Sequence, residues 1–113
     1  TIKTWKISSM DEDKRKRLEE KGWKVGSVSE FLELKPEENA LIEIKLALSR
    51  HLKQRRQKLM TQIELAEKLH SSQPRIAKAE NGDASVSIEL LIRAMLATGA
   101  TPQEIGQVIA QVG

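Results

Sequence analysis

The sequence predicts an all-α protein, and three observations carry that expectation. Hydrophobic residues recur at three- and four-residue spacing through most of the chain after residue 28. Ser or Thr followed three residues later by Glu, or with Pro close behind, marks the start of one segment after another. Aromatic residues are scarce, at 3%, and charged residues plentiful, at 31%, which suits exposed helices better than a β-sandwich.

The elements follow in chain order. Residues 1–9 show no helical period and are compatible with a flexible arm or a short strand. Ser9 and Glu12 form a candidate capping box for a charged helix from Met10 to Lys21, which has almost only Leu18 to bury and is therefore weakly anchored. Gly22 ends it. Ser27 and Glu30 form a second box before Phe31, Leu32 and Leu34, predicting a short helix over 28–34. Pro36 stops that helix, because it disfavours helical geometry at the residue before it. Pro36 also suits the first turn of the next helix, with Glu37 and Glu38 near its positive end. This helix runs from about 37 to 58 and is expected to bury Leu41, Ile44, Leu48 and Leu52. Its last two turns carry Arg50, His51, Lys53, Arg55, Arg56 and Lys58.

Thr61 and Glu64 open a helix expected to bury Ile63, Leu65, Ala66 and Leu69, broken at His70-Ser71. Ser72 caps a further short helix, which tolerates Pro74 in its first turn and turns Ile76 and Ala79 inward. Asn81-Gly82 ends it, Gly being the preferred left-handed cap. Ser85 or Ser87 starts the next helix, with Ile88, Leu91, Ile92, Met95 and Leu96 as its apolar face and Gly99 behind it. Thr101, Pro102 and Glu104 open a last helix with Ile105, Val108, Ile109 and Val112 on one face. The chain thus divides into a charged leader over 1–36 and a helical domain over 37–113. Trp5 and Trp23 are read as anchors that pack the leader.

Composition bounds the function. At 113 residues the chain has one domain's length and can bury one core without staples. The absence of Cys removes disulfides, thiol nucleophiles and Cys-ligated metals. No apolar run approaches the ~18–20 residues of a membrane span, and the first residues have no apolar signal core, so a cytoplasmic protein is expected. His51 and His70 are too few for a metal site. No paired carboxylates and no nucleophile with a neighbouring base appear, so neither an enzyme nor a cofactor is expected.

The net charge of +3 is unevenly spread. Residues 1–49 carry ten basic and ten acidic side chains, whereas residues 50–82 carry eight and three, a net +5. Residues 83–113 carry one and three. A local basic patch is what a polyanion binder needs. Charge alone leaves open a solvated helix face instead.

The stretch 61–82, TQIELAEKLHSSQPRIAKAENG, holds two short capped helices separated by three or four residues, the helix-turn-helix pattern. Ala66 stands where the two helices cross and a larger residue would clash. On Thr61-Gln62, Glu64-Leu65-Ala66, Ser72-Gln73, Ile76 and Glu80-Asn81-Gly82, the segment resembles the DNA-binding domain of the lambda and 434 repressor/Cro class, the XRE family. The resemblance covers about two-thirds of the chain. It implies a five-helix lambda-repressor-like DNA-binding domain over about 37–111, with a short helical leader. Two turns depart from the family pattern. Lys58-Leu59-Met60 lacks the usual Gly and is one residue shorter, and His70 stands where Gly is usual. His is among the better non-Gly residues at positive φ.

The resemblance also implies roles. The second motif helix enters the major groove, with Gln73, Pro74, Ala77 and Lys78 at the base edges. Gln73 suits adenine and Lys78 suits guanine, while Pro74 and Ala77 suit thymine methyls. Gln62 grips a phosphate at a helix start and can brace Gln73. Asn81 makes a second phosphate contact, Arg75 reaches the DNA backbone, and Ser72 is a cap on the DNA-facing side. Glu80 pairs with an Arg of the first domain helix, Arg56, with Arg55 as the second choice. The leader Gly22-Trp23-Lys24-Val25-Gly26, followed by a small helix, resembles antitoxin-type (HigA-like) bacterial members.

The expected protein is a homodimeric, sequence-specific repressor on a palindromic double-stranded DNA operator, cytoplasmic and nucleoid-associated. It is either a plain repressor or the antitoxin of a RelE-like toxin. Its dimer surface is the last helix (Ile105, Val108, Ile109, Val112) or the leader (Trp23, Val25, Phe31). The reading from another class is a protein-interaction module that uses the helix-turn-helix as a scaffold.

Overall fold

The structure, a computed structural model, describes residues 13–23 and 36–112. Among the described residues there are six helices and no strand: α1 over residues 13–20, α2 Pro36–Leu59, α3 Gln62–Lys68, α4 Gln73–Glu80, α5 Ile88–Ala97 and α6 Pro102–Ala110. None is long and apolar enough to cross a membrane. The expectations for Trp5, for the Ser9–Glu12 box, for a helix over 28–34 and for Val25 and Phe31 lie outside the described residues.

The 24-residue α2 is the spine. Glu37 and Glu38 in its first turn and Arg56 and Lys58 in its last complement its dipole. Helices α4, α5 and α6 pack against it, and α3 packs on α4 and α5. Leu48 and Leu52 of α2, Leu65 of α3, Ile76 of α4 and Leu91 of α5 meet as the fully buried centre of the core. Ile105 and Val108 of α6 close it from the far side.

The periodicity misplaces three residues. Leu41 is 47% exposed, and the buried row of α2 starts at Ile42. There the neighbour is α1, whose Leu18 packs on Ile42, so the start of α2 faces another partner than its second half does. Ile63 is 60% exposed because it precedes the buried Leu65 by two residues, about 200° around a helix. Leu96 is 44% exposed, on the rim beyond Ala94 and Met95. The start of α5 is settled as well: Ser87 Oγ accepts from Leu90 N at 3.1 Å, whereas Ser85 turns its N–H to Asp83 Oδ1 at 2.8 Å.

The leader helix is held by more than Leu18. Trp23 Nε1 donates to the Gly82 carbonyl at 3.2 Å, and the Lys45 ammonium lies 4.8 Å from the centroid of the Trp23 ring. Lys45 also donates to the Ala84 carbonyl, the Ala84 N–H donates to the Lys21 carbonyl at 3.1 Å, and Lys14 pairs with Glu43. These bonds tie the end of α1 to the loop that leaves α4.

Gly82 is the residue this arrangement constrains most. Its φ is 71°, and a Cβ there would sit 2.8 Å from Leu46 Cδ2. Gly82→Ala is expected to destabilise the fold by about 1–2 kcal/mol, mostly through the left-handed backbone. Urea unfolding checks this, and an unchanged midpoint would refute the account of the turn.

Candidate nucleic-acid interface

The two motif helices are started by side chains that stop the preceding chain. Thr61 Oγ1 accepts from Glu64 N at 3.1 Å while Glu64 Oε1 accepts from Thr61 N at 3.2 Å, a complete capping box. Ser72 Oγ accepts from Arg75 N at 3.4 Å. Between the helices His70 takes φ 52°, a left-handed conformation, and Ser71 N–H donates to the Ala66 carbonyl at 2.9 Å. Ala66 is 4% exposed at the crossing, where its small side chain lets α3 and α4 approach.

A chain of polar contacts then fixes α4 to the rest. Arg56 Nε donates to Glu80 Oε2 at 2.7 Å and its Nη2 donates to Glu80 Oε1 at 2.8 Å, a bidentate pair. Gln62 Nε2 donates to Glu80 Oε1 at 3.0 Å, and Gln73 Nε2 donates to Gln62 Oε1 at 2.5 Å. The end of α2, the start of α3 and both ends of α4 are thereby joined. Arg55, the second choice for Glu80, instead donates to Thr98 Oγ1 at 3.0 Å and to Glu104 at 2.9 Å.

The Glu80 side chain is 1% exposed and that of Arg56 13%. Burial is the largest single influence on the Glu80 carboxyl and pushes its pKa up. The hydrogen bonds from Arg56 and Gln62, with the charges of Arg56 and Lys53, together outweigh it and hold the pKa below the usual value. The Arg56 guanidinium is held above its ordinary value, first by its hydrogen bond to Glu80.

The outward face of α4 presents Gln73, Pro74, Arg75 and Lys78 to solvent, with Ala77 half-buried. Ser72 and Asn81 are exposed at its two ends, and Gln62 is half-buried beside Gln73. Ile76, Ala79 and Glu80 face inward. The first turn of α4 holds no acid. Such a face can lie against a polyanion and offer donors and acceptors to it. The bond from Gln62 to Glu80 and the seat of Trp23 on Gly82 were not foreseen from the sequence. No periodicity relates residues 18 or 59 apart. Among the described residues no group of His, Cys, Asp or Glu is placed to hold a metal ion.

A helix-turn-helix family model matches residues 52–105, which span the two motif helices and their neighbours. Neither the curated proteins nor the solved structures give a significant match.

Removing the Glu80 carboxylate leaves Arg56 partly buried without its partner. Glu80→Ala is expected to destabilise by about 3–5 kcal/mol, against a few tenths for the exposed Glu67→Ala, as measured by thermal melting. Equal effects would refute the role given to the pair. The depressed pKa sets the sign of the acid response. The Glu80 contribution is complete above about pH 4.3, the ordinary carboxyl value, and is lost as pH falls through its lower folded value. Melting temperature should therefore drop below about pH 4, and less steeply in Glu80→Gln.

Proposed function

We propose that the protein is a sequence-specific DNA-binding regulator, a repressor that reads double-stranded DNA with α4. The observation that carries the reading is the braced, acid-free outward face of α4. Gln73 donates one amide hydrogen to Gln62 and keeps the other, together with its carbonyl oxygen. Those two groups match the N7 acceptor and N6 donor of adenine, so the brace orients Gln73 without consuming its reading edge. Lys78 reaches for guanine from the next turn, and Pro74 and Ala77 supply the apolar surface for thymine methyls. Gln62 and Asn81 stand at the two edges of this face, where the phosphate strands bordering a major groove run, and Arg75 extends toward one of them.

One eight-residue helix reads few base pairs, so the working form is a homodimer on a palindromic operator with half-sites about 34 Å apart. Ile109 of the last helix and Val112, which lies just beyond the helix end rather than on it, are half-buried in the single chain and are the candidate dimer surface. The resemblance of Gly22–Gly26 to antitoxin-type leaders favours the antitoxin form of the reading, with a RelE-like toxin as partner. The interaction-module alternative predicts no preference among duplexes.

Binding to duplex from the chain's own upstream region is to be compared with random duplex across a salt series. A preference of about 10³ or more is expected, with affinity falling steeply as salt rises. Gln73→Ala and Lys78→Ala should each cut the preference by about 1–3 kcal/mol, whereas Asn81→Ala should weaken both duplexes alike. Equal binding to the two duplexes by the unmodified chain would overturn the reading.

A further inference from the structure

Two open grooves, of about 430 Å³ and about 670 Å³, meet where α1 lies along α2, and both have Lys21, Arg50, Glu80 and Asn81 in their walls. Arg17 adds to the first and Lys53 to the second. Arg17, Lys21, Arg50 and Lys53 form no ion pair with any described residue. The nearby acids are largely spoken for: Glu80 is buried against Arg56, and Glu43 in the first groove pairs with Lys14. Glu20 in the second is the one carboxylate there without an ion pair among the described residues. Four cations therefore face one uncompensated acid.

Lys21 is also placed. Its carbonyl accepts from Ala84 N, and its Nζ lies 3.8 Å from where a Cβ on Gly82 would stand. That sets the ammonium beside the residue following Asn81. We infer that this basic face, made by the leader helix and α2 and pinned to the loop after α4, grips the DNA sugar–phosphate backbone beyond the stretch that α4 reads. The inference rests on the DNA-binding reading and assigns to the leader a share of it. The groove continues from Asn81, at the edge of the reading face. The unpaired charged side chains in its walls are mostly cationic, which fits phosphates. Contacts of this kind add affinity and orientation without reading sequence.

The test uses the full chain and a duplex of about 30 base pairs of random sequence, with binding followed by anisotropy from about 50 to 200 mM salt. The Lys21→Ala/Arg50→Ala pair is expected to make the slope of log K against log salt shallower by about 2. It should weaken a preferred duplex by the same factor, leaving the preference intact. The charge-keeping pair Lys21→Arg/Arg50→Lys should retain the slope. Arg17→Ala/Lys53→Ala repeats the test from the two outer walls, should the first pair melt early. A slope unchanged in both alanine pairs, with the unmodified chain binding normally, overturns this inference and leaves the DNA-binding reading standing. No salt-dependent binding by the unmodified chain overturns both.

Discussion

The placement of α4 depends on one buried ion pair. Arg56 sits in the last turn of the spine and Glu80 at the last residue of α4, and their two parallel hydrogen bonds fix distance and angle together. Buried ion pairs are weak sources of net stability, since desolvation offsets much of the attraction. What this one supplies is geometry. The carboxylate is almost entirely excluded from water, so it must be met by donors from fixed directions, and two elements provide them. Gln62 is then oriented by Glu80, and Gln73 by Gln62. An outward side chain thereby takes its orientation from the core through three links of hydrogen bonding.

A second constraint acts on the other end of α4. The loop after it carries Gly82 in a left-handed conformation, and Trp23, Lys45 and the Lys21–Ala84 backbone bond hold that loop from the leader side. Helix α4 is therefore fixed at its start by the Gln62–Gln73 contact and at its end by both the ion pair and the leader. A recognition surface gains from such support because a base contact needs its side chain placed before binding. The leader, which reads as a loosely held charged segment, is in its described part a brace for the motif.

Much of this was legible because it is local. Thr61, Ser72, Ser87 and Thr101 all cap helices, since capping depends on one side chain and the two or three N–H groups beside it. The spine and its buried Leu48 and Leu52 followed from periodicity. Periodicity says that a helix has an apolar face but not where its neighbours end, which is why Leu41, Ile63 and Leu96 lie exposed. Arg56 and Glu80 are 24 residues apart, and their pairing came from the family resemblance rather than from spacing. The choice between Arg55 and Arg56 turns on 100° of helix rotation. That rotation sends Arg55 to Thr98 and Glu104 and leaves Arg56 facing α4. The Trp23 latch had no signal in the sequence beyond the presence of an aromatic residue in a polar leader.

These constraints divide α4 by face. Ile76, Ala79 and Glu80 are committed to the fold, and each is tied to an element outside the helix or to the common core. The side chains of Pro74 and Lys78 point outward and make no hydrogen bond to another described residue. Gln73 is tied only through Gln62. Substitutions on the outward face can therefore change the chemistry it presents while the inward face, and the network behind it, keep the helix where it is. The ion pair, the core contacts and the leader position the helix from behind, so in the proposed function affinity and specificity would fall on different residues. In the proposed function the basic stretch over residues 50–82 would supply attraction at long range, and a few polar atoms on one short helix would decide among sequences.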